Sequence, residues 1–97
     1  MSVIVIVQGT LKPDKGDVLK RYQDVARPVI ARHGGEAVAR GAGLKAIAGH
    51  HDWKLGIVLR FPDLAAVEAW HEDPEYQRVI PLRSEAYADL EINVFQE

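Results

Sequence analysis

The chain has no cysteine among its 97 residues. Disulfides, thiolate metal sites and cysteine nucleophiles are therefore excluded. It also lacks a surplus of charge. Twelve basic residues stand against 14 acidic ones, a net charge of −2, which is not the strongly basic footprint that nucleic-acid binding leaves. Long hydrophobic runs are missing as well. The longest near the start, Val3 to Val7, has five residues in "MSVIVIVQGTLKPDKG". It has no basic flank and no small-residue cleavage site, so it reads as no secretory leader. A membrane span needs about 18 apolar residues, and none is present. There is no glycine-rich phosphate loop, no G-x-S-x-G and no dinucleotide fingerprint. "RHGGEAVARGAG" is rich in glycine, but it closes a helix rather than opening one. These absences leave a soluble, cytoplasmic chain of one domain, residues 1–97, with no cofactor and no metal, as the expectation. A domain this small buries only about 60–65% of its unfolded surface, so a partner subunit would help its core.

What is present is periodicity. "VIVIVQG", Val3 to Gly9, is a β-branched run with the character of a central strand. After the turn "TLKPDKG" the period changes. From Asp14 or Lys15 to His33, the residues Val18, Tyr22, Val25, Ala26, Val29 and Ile30 recur at spacings of three and four, which predicts an amphipathic helix. Pro28 lies inside it and is expected to kink it, and Gly34 supplies a left-handed cap. Glu36 to Arg40 reads as a short strand. Gly41 and Gly43 suggest a bulge, with Leu44 to Ala48 continuing the pairing. "GHHDW" is a polar turn, and Lys54 to Phe61 is a second strong strand.

In "FPDLAAVEAWHED", Asp63 is placed to cap a short helix whose apolar side is Leu64, Val67, Ala69 and Trp70. Asp73 and Pro74 restart helix, which Pro81 interrupts. Asp89 to Phe95, "DLEINVF", alternates as a last strand. The order β-α-β-β-α-β is the α+β ferredoxin-like arrangement: a four-stranded antiparallel sheet with the helices on one face. The two strong strands carry apolar residues on both faces. A homodimer packing sheet against sheet would cover the second face.

The combination of Tyr22, Pro28 and "HGG" with "LRFPDLAAVEAWHEDPEYQRVIPLR" resembles the domain of unknown function 1330 family, of the dimeric α/β-barrel superfamily. The resemblance rests on Phe61-Pro62, Trp70, Pro74-Glu75-Tyr76-Gln77 and Pro81-Leu82-Arg83. It covers nearly the whole chain. Where that family usually has tyrosine after the tryptophan and serine before the proline, this chain has His71 and Asp73. The resemblance implies the fold and a dimer. Related barrels include cofactor-free monooxygenases, muconolactone isomerase-like proteins and haem-degrading enzymes, but fold alone does not transfer their activities.

Candidate reactive residues each admit two readings. Tyr22 and His33 share a helix stripe and would meet in a cleft between helix and sheet, where His33 moves a proton and Tyr22 donates a hydrogen bond. Otherwise His33 caps the helix end and Tyr22 packs. His50, His51 and Asp52 lack the spacing of a zinc site, so His51 is expected at most at a pocket mouth. Trp70, His71 and Tyr76 either line an aromatic pocket, with His71 as acid or base, or close one end of the core. Arg83 either binds a carboxylate or an enolate oxygen, or pairs with Glu75, Glu85 or Asp89. The leading expectation is a homodimer that binds a small aromatic or carboxylated metabolite between sheet and helices. Its chemistry would be cofactor-free, of the monooxygenase or isomerase kind. A non-catalytic ligand-binding or protein-interaction module is the alternative.

Overall fold

The computed structural model describes residues 2–97. Its elements run β1 (Val3–Leu11), α1 (Gly16–Arg32), β2 (Glu36–Ala42), β3 (Leu55–Phe61), α2 (Leu64–Glu72), α3 (Pro74–Gln77), α4 (Ile80–Ala86) and β4 (Tyr87–Gln96). The strands form one antiparallel sheet in the order β2-β3-β1-β4, which is the ferredoxin-like arrangement. The sheet is open: in a single chain, β2 and β4 are its edges.

Alternation along the strands sorts the side chains. Val3, Val5 and Val7 face the helices together with their neighbours' Phe61, Leu59 and Ile57. Against them pack Ala26 and Val29 of α1, Val67 and Trp70 of α2, Tyr76 of α3, and Val79. A smaller cluster of Val18, Ala86 and Tyr87 joins the start of α1 to the end of α4. Ile4 and Ile6 of β1, Val58 of β3 and Phe95 of β4 point to the opposite face, which among the described residues carries no helix.

Capping fixes the boundaries. Asp63 accepts a hydrogen bond from the Ala66 amide at 2.8 Å and Asp73 from the Glu75 amide at 2.9 Å. Each satisfies an orphan donor at a helix start. At the end of α1, Gly34 (φ 83°) sends its amide to Ala31 O at 3.0 Å, and Gly35 sends its own to Ile30 O at 2.9 Å. This paired closure needs the left-handed residue that glycine supplies.

Several expectations change. Helix α1 begins at Gly16, after a turn in which Asp14 has φ 61°. The expected kink at Pro28 does not divide the helix, and Ala26 and Val29 stay buried on either side of it. The bulge falls at Val38, where the register of β2 against β3 shifts between Ala37 and Ala39, not at Gly41 or Gly43. Leu44 to Ala48 do not extend the pairing: residues 43–54 leave the sheet as a loop. The backbone folds back at its base, where Gly43 N donates to Lys54 O at 2.8 Å. A Cβ on Gly43 would lie 1.7 Å from the Trp53 carbonyl oxygen, so close backbone approach requires the glycine.

Candidate functional site

The helix-covered side of the sheet holds two openings, with Trp70, Leu90 and Ile92 in the wall of both. The first lies between α2, α4 and β4. It is a cleft of about 450 Å³ whose apolar lining includes Val67, Trp70, Ile92 and Val94, with His71 and Arg83 among its polar groups. Glu68 and Glu72 also border it. The second, about 70 Å³, lies between α1 and the sheet.

Tyr76 lies beside the first opening and has no solvent exposure. Its place follows from the Asp73 cap and Pro74, which start α3 and turn the tyrosine inward. Its hydroxyl is 2.7 Å from the Tyr22 hydroxyl and accepts a hydrogen bond from Arg83 Nη1 at 3.0 Å. Its ring lies 5.1 Å from the Trp70 ring and 5.6 Å from the His71 ring, centroid to centroid. The result is a relay of two phenols and one guanidinium spanning α1, α3 and α4.

Burial raises the Tyr22 hydroxyl well above the usual phenol range, with the Tyr76 hydroxyl adding to the effect. Tyr87 is raised for the same reason, mainly burial. Burial lowers His71 below the ordinary imidazole value, and the nearby Arg83 charge lowers it further. His71 is therefore neutral at neutral pH and able to accept a proton. Arg83 is half-buried, and among the described residues it makes no ion pair; its hydrogen bond goes to a neutral phenol. The expected pairing with Glu75, Glu85 or Asp89 is absent: Glu75 binds Arg32 and Glu85 binds Lys15. The Trp70 indole N–H is buried and has no acceptor.

The expected residues thus divide. Tyr22, Trp70, His71, Tyr76 and Arg83 come together. His33 does not meet Tyr22, because eleven residues along a helix separate them by about 16 Å. Its Nε2 lies 2.8 Å from Asp73 Oδ2, beside Arg32, which reaches both Asp73 and Glu75 at 3.2 Å. This cluster ties the end of α1 to the start of α3 and holds the Asp73 carboxyl down at about 2, His33 contributing most. The side-chain sharing reads as a structural clasp. His51 stacks on Trp53 at 4.4 Å in the loop and borders a shallow groove over the open face. Asp52 is engaged by Lys54 at 2.6 Å. Among the described residues no three metal-ligating side chains converge.

Sequence reasoning missed Tyr87, Arg27 and Arg40, which border the 70 Å³ opening. Tyr87 could not have been found by extending the β4 alternation backward: it has the parity of Glu91 and Asn93, and the register shift at Thr10/Leu11 turns it inward. Nor could Arg40, because its face depends on the bulge at Val38.

The profile of the family described as Domain of unknown function (DUF1330) matches residues 4–95. The chain belongs to this family. Among curated proteins none matches it. As a DUF1330 chain it is similar in fold to several solved structures. A protein of unknown function from Rhodopseudomonas palustris superposes with a TM-score of 0.85 at 22% identity, over 99% of this chain and 82% of that one. A dimeric protein of unknown function with a ferredoxin-like fold, from Bacteroides fragilis, gives 0.68 at 16% identity, over 99% and 96%. A dabb family protein with a ferredoxin-like fold, from Mesorhizobium loti, gives 0.68 at 18%, over 99% and 96%. At these identities the likeness establishes the fold alone. Among the described residues no helix is long and apolar enough to cross a membrane.

Proposed function

We propose that the protein is a homodimer that binds a small aromatic or carboxylated metabolite in the cleft beside β4 and moves a proton on it without a cofactor. Arg83 carries the reading. A half-buried guanidinium with no carboxylate partner is costly unless something anionic completes it. The apolar lining, with Trp70 in the wall, accommodates the body of such a ligand. His71 is the imidazole in the cleft lining able to take a proton.

The chemistry this supports is isomerisation of a carbon acid. A C–H bond beside a carbonyl breaks, and its proton passes to the His71 imidazole. The negative charge then develops on the enolate oxygen, where Arg83 stabilises it. Return of the proton to a different carbon gives an isomer, with no oxidant or co-reactant needed. Tyr22 acts through Tyr76, holding its hydroxyl and through it the Arg83 guanidinium.

The homodimer reading rests on the uncovered face. Ile4, Ile6, Val58 and Phe95 form an apolar patch there, with Phe95 53% exposed. The Bacteroides fragilis protein of similar fold is described as dimeric. Sheet-to-sheet packing would remove that patch from water.

Native mass spectrometry of the purified protein, at low and moderate salt, tests both parts. The expected result is a dimer mass with an added small-molecule mass. A monomer would overturn the sheet-to-sheet reading. Once the released molecule is identified, an unchanged turnover in His71→Ala would remove proton transfer by His71 and leave a binding module.

A further inference from the structure

We propose a second binding site, on the far side of Trp70 from the β4 cleft, that takes a short-chain monocarboxylate: its tail enters the 70 Å³ cavity and its head pairs with Arg27 and Arg40. This site does not depend on the function proposed for the β4 cleft.

The cavity lies between α1 and the sheet, with Ala26, Ile30, Ile57 and Leu59 in its wall. Trp70 forms its buried end, 2% exposed. Arg27 and Arg40 also border it, and both are exposed, which places them at the mouth. Among the described residues neither forms an ion pair; Arg27 reaches only Gln23, at 3.4 Å.

The placement of Arg40 is the second observation. Near the start of β2, Ala37 lies opposite Leu59, both toward the helices. In unbroken register Arg40 would fall opposite Gly56 and turn to the open face. The extra residue at Val38 resets the pairing, so Arg40 lies opposite Ile57 and faces the helices. A bulge that re-aims one side chain is a recurring device beside binding sites. Here it brings a second guanidinium to the rim that Arg27 borders from α1. Two guanidinium groups with no carboxylate of their own match one carboxylate.

Volume sets the tail. A single water-sized group occupies about 10–15 Å³ of such space, so the cavity holds a tail of roughly five heavy atoms. Pentanoate and hexanoate fit this class.

The test is a titration with straight-chain carboxylates from acetate to octanoate. It uses the Trp53→Phe variant, in which Trp70 is the one tryptophan, and reads Trp70 fluorescence and calorimetric heat. Affinity is expected to rise about fourfold per methylene to roughly five or six carbons, then level off. R27Q and R40Q, at exposed positions, should each weaken hexanoate binding by about tenfold. Hexylamine should not compete. Binding that ignores chain length, equal binding by R27Q/R40Q, or competition by hexylamine would overturn the proposal. Loss of hexanoate binding in R83Q, with R27Q/R40Q unaffected, would move the acid to the β4 cleft and overturn it equally. Failure here leaves the β4 cleft untouched, because that reading is tested by Arg83 and His71.

Discussion

The two faces of β1 differ more than their residues do. Val3, Val5 and Val7 on one face and Ile4 and Ile6 on the other are equally apolar β-branched side chains. Val5 is fully buried and Val3 and Val7 are nearly so, while Ile4 and Ile6 are only partly covered. Burial of the first set comes from α1, α2 and α3, which the chain supplies itself. Among the described residues no helix covers the second set. A strand apolar on both faces is usual where both are packed; here one packing layer is intramolecular and the other remains to be supplied. Damage to the helix-covered face should therefore act on folding, and damage to the open face on association.

The largest effect is expected at Trp70. Trp70→Ala removes a side chain that contacts Phe61 and Tyr76 and separates the two openings. It should cost about 3–5 kcal/mol in urea unfolding, at every protein concentration. Ile6→Asp sharpens the contrast. It should abolish the proposed dimer in native mass spectrometry while leaving the circular dichroism of a folded chain. A folded dimer of the I6D variant would break the comparison. Tyr76→Phe comes next. It strands the buried Tyr22 hydroxyl and frees Arg83, at about 1–2 kcal/mol in urea unfolding.

The smallest effect concerns the clasp at the end of α1. The Asp73 carboxyl is held at about 2, below the ordinary value near 4. A depressed carboxylate contributes stability that is fully present above about pH 4 and is lost as pH falls toward 2. Acid unfolding of Asp73→Asn should show a shallower pH dependence across that window, with the part that Glu97 contributes remaining. An unchanged acid limb would show that Arg32 and His33 do not depend on Asp73 for their hold on α3.

Much of this was legible in the residues because local rules carried it. The 3-and-4 spacing around Ala26 and Val29, the caps Asp63 and Asp73, and the Gly34 turn each depend on neighbours within one helical turn. Trp70, His71, Tyr76 and Arg83 were legible for the same reason: the caps and prolines of one stretch set their order. Tyr22 entered through its stripe, but its pairing with Tyr76, 54 residues away, did not. His33 was read onto the same face correctly and into the wrong company, since a shared stripe does not bring together residues three turns apart. The bulge at Val38 left no mark. Val38 is an ordinary strand residue, and only pairing against β3 reveals that it is extra. Gly41 and Gly43 carried the stronger local signal, and for Gly43 the cause was contact with Trp53 rather than strand geometry.

The strand order has a consequence for synthesis on the ribosome. The first strand made, β1, pairs only with β3 and β4, both from the second half of the chain. Until residues 55–61 and 87–96 have left the exit tunnel, a valine- and isoleucine-rich segment waits with both edges open. Such edges recruit other chains, and long-range pairing closes them slowly. Translation pauses placed between β1 and β4 should therefore lower the yield of soluble protein.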